Sequence, residues 1–288
     1  MTLLSIIVSA AIAFALAGVA VRIQYSLFRG FDFAVAFTVV LSAESFTAAS
    51  RAFTSTPIVG LVICSAFGIG VAIVAVVAWN SAIHYLWLAH SRLGMALLVC
   101  SLGVSTAASG FVGLVRGPGL RQPSWLLNQA QVFPDSTIGL PALYAITCGG
   151  TVVILVVLWA SRRTGLALDL WAQNQDFARE IGIDRATLAP VCGVVTGLAS
   201  GAVGCYFALA GGSTPEGGLS AFLYGAGAAL LLPAPTLNAT VLGGLILGTI
   251  YVIVQLIFNQ SIADLILFAI VAALLLRRGT SRTVQGAR

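Results

Sequence analysis

Glu44 stands among Ser42, Ser45 and Thr47 inside an otherwise apolar run. An ionised side chain at membrane depth is costly and is retained for a reason. Two readings are open: a carboxylate that meets a polar or cationic solute group, or a buried partner of an arginine or backbone donor. Asp32 follows Arg29 by three residues, a spacing that allows a helical ion pair or a helix cap and also leaves a pathway role open. Gln255 is the leading amide of a later apolar run that also holds Asn238 and is followed by Asn259 and Gln260. Asp32, Glu44 and Gln255 are therefore the candidates for lining a solute pathway. Asp264 follows Ser261 by three and reads as a capping box.

Other chemistries lack their residues. All 14 basic residues are arginine. Without lysine there is no phosphate-binding GxxxxGK[ST] loop, no Schiff base and no Ser-Lys pair. No HExxH or GxSxG motif occurs. Cys64, Cys100, Cys148, Cys192 and Cys205 all fall in apolar stretches without a CxxC, and neither His84 nor His90 has a second ligand at metal spacing. The expectation is a chain with no catalytic, cofactor-binding or metal-binding residues. Anything it drives with ATP would need the nucleotide and its magnesium on another chain.

The elements that must position these residues are membrane spans. Of the 288 residues, 59% are hydrophobic and 8% charged, against about 25% charged in a soluble domain. That excludes soluble enzymes, disordered chains and secreted disulfide scaffolds. Apolar runs near the spanning length of about 20 residues occur at 3–21, 31–49, 57–79, 93–115, 140–160, 188–210, 218–232, 237–257 and 262–276. The expected fold class is an all-α polytopic transmembrane bundle of about eight to nine spans. The second run is polar and the seventh short, so one or both are candidates for broken or re-entrant helices. Placing the C-terminal tail in the cytoplasm puts 11 of the 14 arginines on the inside and leaves Arg51, Arg116 and Arg121 outside. The outer loop 116–139 is expected to carry a short surface helix. Gly193, Gly197 and Gly201 form a stripe that lets another helix approach. The arginines are spread over loops and tail, which is no nucleic-acid signal.

The densest charge outside the spans lies in 162–187. Asp169 is placed to start a helix and Gly182 to stop one, giving an amphipathic docking helix over about 169–181. Leu170, Trp171, Phe177, Ala178 and Ile181 recur at helical spacing as its apolar face. Its polar side carries Gln173, Asn174, Asp176 and Glu180. Such a helix can lie on lipid or insert into a cytosolic partner. The polar side is not basic, which favours a protein partner over anionic lipid.

The run from Thr164 to Arg185, with its core Ala178…Gly182-Ile183-Asp184, resembles the cytoplasmic loop of permease subunits of the branched-chain amino-acid/ribose type of ABC importer. The likeness extends to Phe31–Ala49 and to the glycine-rich stretch 239–250. The chain departs from that pattern at Asp169–Leu170, where an arginine is usual, and at Ala228–Pro235, which replaces a glycine-rich turn. The resemblance implies one permease domain over 1–288 with a type II importer-like fold in a bacterial inner membrane. It implies a second permease subunit, identical or paralogous. Two cytosolic ATPases would dock on Asp169, Trp171, Asn174, Asp176, Phe177, Arg179, Glu180, Ile181 and Gly182. A periplasmic or lipid-anchored binding protein would deliver a small polar solute, with amino acids leading.

Overall fold

The computed structural model describes residues 3–52, 57–89, 93–117, 119–123, 139–232 and 236–285. Helices account for nearly all of them: α1 Leu3–Phe28, α2 Ala34–Ser50, α3 Pro57–Ala89, α4 Leu93–Arg116, α5 Leu140–Ala160, α6 Arg163–Gln173, α7 Gln175–Glu180, α8 Arg185–Ala210, α9 Gly217–Leu231, α10 Leu237–Ile257 and α11 Gln260–Gln285. Among the described residues the one extended pairing is the isolated bridge Arg121–Ser213. The expected surface helix in 116–139 falls largely outside the described residues, as does His90.

Every apolar run of the sequence becomes a helix. Six are long and apolar enough to cross a membrane: Leu3–Phe28, Val59–His84, Ala96–Arg116, Leu140–Ala160, Arg185–Ala210 and Leu237–Ile257. Ala34–Ser50, Gly217–Leu231 and Gln260–Leu274 are shorter apolar helices. At 1.5 Å per residue, the 17 residues of α2 and the 15 of α9 fall short of a hydrocarbon core about 30 Å thick. Both are unbroken helices. The irregularity sits instead in α5, which takes a π-helical turn over Ala145–Gly149.

The chain folds as two inverted halves. α1 packs along α10 as α8 packs along α3. α1 also packs on α9 as α8 does on α2. α1 and α8 are each 26 residues long and run antiparallel. The Arg185 guanidinium lies 5.6 Å from the Phe28 ring at one end, and the Ser9 and Tyr206 hydroxyls are 3.4 Å apart at the other. With Leu3 and Arg185 placed in register, Ala11 corresponds to Gly193 and Ala15 to Gly197. Gly193 and Gly197 face Val77 and Ile73 on α3, whereas Ala11 and Ala15 face Gly248 and Gly244 on α10. One partner at each crossing thus lacks a Cβ, supplied by the central helix in one half and by its neighbour in the other. Lipid offers no hydrophobic gain for helix association, so such close backbone approach and its dispersion contacts hold the bundle together. In the same register Ala36 corresponds to Gly218. These two residues touch, marking where α2 and α9 cross between the halves.

α5, α6 and α7 link the halves. Gly165 lets α6 fold back onto the end of α5, because a Cβ there would lie 2.6 Å from both Ala160 Cα and Trp159 O. Cys64, Cys192 and Cys205 are buried, Cys148 is half-buried and Cys100 exposed.

Candidate functional site

The segment expected as one helix over 169–181 forms two. α6 begins at Arg163, not Asp169, and ends at Gln173. Asn174 then takes extended backbone (φ −145°, ψ 103°) and its side chain accepts from Phe177 N at 3.1 Å to start α7. An asparagine oxygen that can cap the second helix competes with continuation of the first. Gly182, at φ +82°, closes α7. Asp184 precedes α8 as expected, but its side chain makes no cap bond.

The break also divides the expected apolar face. Trp171 and Ala178 turn inward with Leu168 and are fully buried. The Trp171 indole N–H donates to Leu27 O on α1 at 3.1 Å. Phe177 and Ile181 turn outward, 48% and 51% exposed. Around them Asn174, Asp176, Arg179, Glu180 and Gly182 are exposed as well. The Arg179 guanidinium is drawn back to 5.6 Å from the Trp171 ring. Of the expected apolar face, Leu170 (38% exposed) on α6 and Phe177 and Ile181 at α7 remain outward, the last two beside the exposed carboxylates Asp176, Glu180 and Asp184. Asp169 is half-buried. Burial pushes its carboxyl above the ordinary range, and the positive charge of Arg22 opposes that shift.

At the opposite end of the bundle Glu44 is buried and paired. Arg116 Nη1 donates to Glu44 Oε2 and to Glu44 O, both at 3.2 Å, and Arg121 Nη1 lies 4.0 Å from Oε2. Arg121 in turn exchanges backbone hydrogen bonds with Ser213, of 3.1 and 2.7 Å. The end of α2, the end of α4 and the α8–α9 loop are thereby tied together.

A family model for the permease component of branched-chain amino acid transport systems matches residues 3–275. The chain belongs to this family. It is thus a helical transport permease and a multi-pass membrane protein. No curated protein and no solved structure matches the chain.

The remaining sequence candidates of this permease do not form one cluster. Asp32 is not paired with Arg29, because residues 29–33 are not helical. Its Oδ1 accepts from Ala34 N and its Oδ2 from the Trp79 indole, both at 2.9 Å. Gln255 lies exposed near the end of α10, remote in sequence and packing from both carboxylates. The capping box expected at Ser261–Asp264 does not form. Asn259 caps α11 by accepting from Ile262 N, and Asp264 Oδ1 accepts from the Tyr224 and Tyr251 hydroxyls, each at 2.9 Å. Gly193, Gly197 and Gly201 all face α3. Sequence reasoning held an arginine partner open for Glu44 but did not name it, having used Arg116 and Arg121 only as topology markers, and missed the two tyrosines of Asp264. It also missed Arg29. The signal there was an arginine beside Gly30 at a helix end, where glycine ordinarily takes the left-handed position.

Proposed function

We propose that this chain is the membrane-spanning subunit of a type II ABC importer for a small polar solute, with branched-chain or other amino acids leading. Two copies, or this chain and a paralogue, would form the pathway as single permease domains in a bacterial inner membrane. Two cytosolic ATPases would supply ATP and magnesium, and a periplasmic or lipid-anchored binding protein would deliver solute at the Glu44 end. The C-terminus would be cytoplasmic, on the side that holds most arginines.

The observation that carries this reading is the exposed face of α7. Phe177 and Ile181 project from α7 and its end, just beyond α6, which Trp171 anchors to α1, and their rim is acidic. Anionic lipid would repel that rim, whereas a protein groove with apolar walls and basic edges would fit it. The chain's lack of lysine agrees with an ATP site on another chain. Asp32 and Glu44 are both engaged by donors within the bundle, which gives an ion-coupled secondary transporter no unengaged carboxylate among those two.

Burying a phenylalanine or isoleucine contributes about 2 kcal/mol, worth more than tenfold in affinity. Phe177→Asp and Ile181→Asp are therefore expected to lose co-purified ATPase and ATP-driven uptake while the purified permease keeps its elution volume and melting temperature. Uptake that is unchanged in both variants would reject the docking role. Uptake that persists without ATPase and collapses with an uncoupler would select the ion-coupled reading instead.

A further inference from the structure

α1 ends at Arg29, whose φ of +55° lies in the left-handed region that favours glycine. The guanidinium crosses to the end of α6, where Nη2 donates to Ala172 O and Gln173 O, each at 3.2 Å. These are among the last carbonyls of α6, unpaired within the helix and at the negative pole of its dipole. The next residue, Asn174, is the extended joint that leads into α7. On its other side Arg29 opens the five-residue link to α2. In that link Asp32 holds the first turn of α2 and the Trp79 indole of α3, and Phe33 N donates to Ser101 Oγ on α4 at 3.1 Å. The Phe33 ring stacks on Phe222 of α9, with centroids 4.2 Å apart. One short link therefore touches α2, α3, α4 and α9, and Arg29 is its bond to the joint before α7.

We propose that Arg29 is a positioning residue that conveys displacement of α7 to the start of α2, so that movement of the docked partner reaches both halves of the bundle. This rests on the docking reading above. Trp171 is buried and keeps α6 fixed on α1, whereas Arg29 is exposed and its hydrogen bonds to the described residues go to backbone carbonyls beside the joint. It can follow the joint without disturbing the core. The side chain, rather than the backbone strain, is what the proposal requires. Glycine at this position removes both the guanidinium and the strain, alanine removes the guanidinium and keeps the strain, and lysine keeps a charge without the planar fork.

The test uses the full chain carrying Arg51→Cys at the exposed end of α2, purified with its ATPase and placed in lipid nanodiscs. The labelling rate by an impermeant maleimide, corrected for that of the chain with Arg51, is measured with and without ATP and vanadate. With Arg29 present, trapping is expected to change the rate. Arg29→Gly and Arg29→Ala should each shrink that change about fivefold or more, in the range of ordinary coupling between sites. Arg29→Lys should fall between, and ATPase recovery should stay constant throughout. An undiminished change in Arg29→Gly overturns the proposal, because strain alone would then explain any effect of alanine. Loss of ATPase recovery in the Arg29 variants also overturns it, by making Arg29 part of the docking face. No response at position 51 even with Arg29 shows that α2 is not what moves. Failure of the docking reading is distinguished by an absence of ATPase before any substitution at position 29.

Discussion

Adding one methyl group at Gly197 should destabilise this permease more than at any other glycine of its stripe. A Cβ at Gly197 would lie 2.8 Å from Ile73 N and 3.0 Å from Ile73 Cγ1, with Ile73 Cα closer still. Two of these are backbone atoms, so no rotamer change can make room and α3 must retreat. At Gly201 the nearest atom is Ile69 Cα at 2.8 Å. At Gly193 the nearest is the movable Val77 Cγ2 at 3.0 Å. Gly70, on α3, meets nothing within 4 Å and serves as the control. Overpacking costs about 1–3 kcal/mol, and contact with fixed backbone places Gly197→Ala at the upper end. Alanine recovers about 1 kcal/mol of helix propensity over glycine, which leaves a net loss of about 2 kcal/mol. For a chain of this size that lowers the melting temperature by about 4–8 °C. Thermal unfolding of the purified permease in mild detergent is the assay. The expected order of loss is Gly197→Ala, then Gly201→Ala, then Gly193→Ala, with Gly70→Ala neutral or slightly stabilising. Gly244→Ala, facing Ala15 in the other half, should behave like Gly197→Ala. Equal melting temperatures for Gly197→Ala and Gly70→Ala would refute the close α3–α8 packing and the inverted pairing of helices with it.

Glu44→Gln should lower stability by about 1–2 kcal/mol, between the values for exposed and fully buried ion pairs. Combining it with Arg116→Met should recover part of that loss in thermal unfolding. A variant with normal melting and no uptake would instead mark Glu44 as a solute contact. Tyr224→Phe and Tyr251→Phe should each cost about 1–2 kcal/mol through a lost bond to a carboxylate. Their combination should cost more than the sum, because Asp264 Oδ1 then loses both donors, and adding Asp264→Leu should restore most of it. Simple additivity of the two tyrosine variants would argue that the carboxylate is satisfied by other means.

The apolar helices were legible because a span must be apolar over a length that physics dictates, and that length is visible in one dimension, although among the described residues six of the nine runs reach it as helices and three stay shorter. Which partners the ionisable residues take was not legible, because those partners come from elements far apart in the chain. Glu44 finds Arg116 at the end of α4 and Arg121 beyond it, and Asp264 finds tyrosines on two other helices. Spacing rules such as three residues from Arg29 to Asp32, or from Ser261 to Asp264, describe a helix only where one exists. Residues 29–33 form none, and the α11 cap had a better acceptor in Asn259. The break at Asn174 was open to the same kind of reasoning that found Gly182. A capping residue three positions before an amphipathic phenylalanine is a start signal for a second helix, yet helical periodicity across 170–181 argued for continuity. The periodicity was real but belonged to two helices with different duties: Trp171 and Ala178 bind the bundle, and Phe177 and Ile181 face away from it. The inverted halves left a trace as well, in Ala11 and Ala15 at the places of Gly193 and Gly197. That trace resists sequence comparison because what the packing preserves is one missing Cβ per crossing. Either helix can supply it, so the small residue changes strands of the comparison while the contact stays the same.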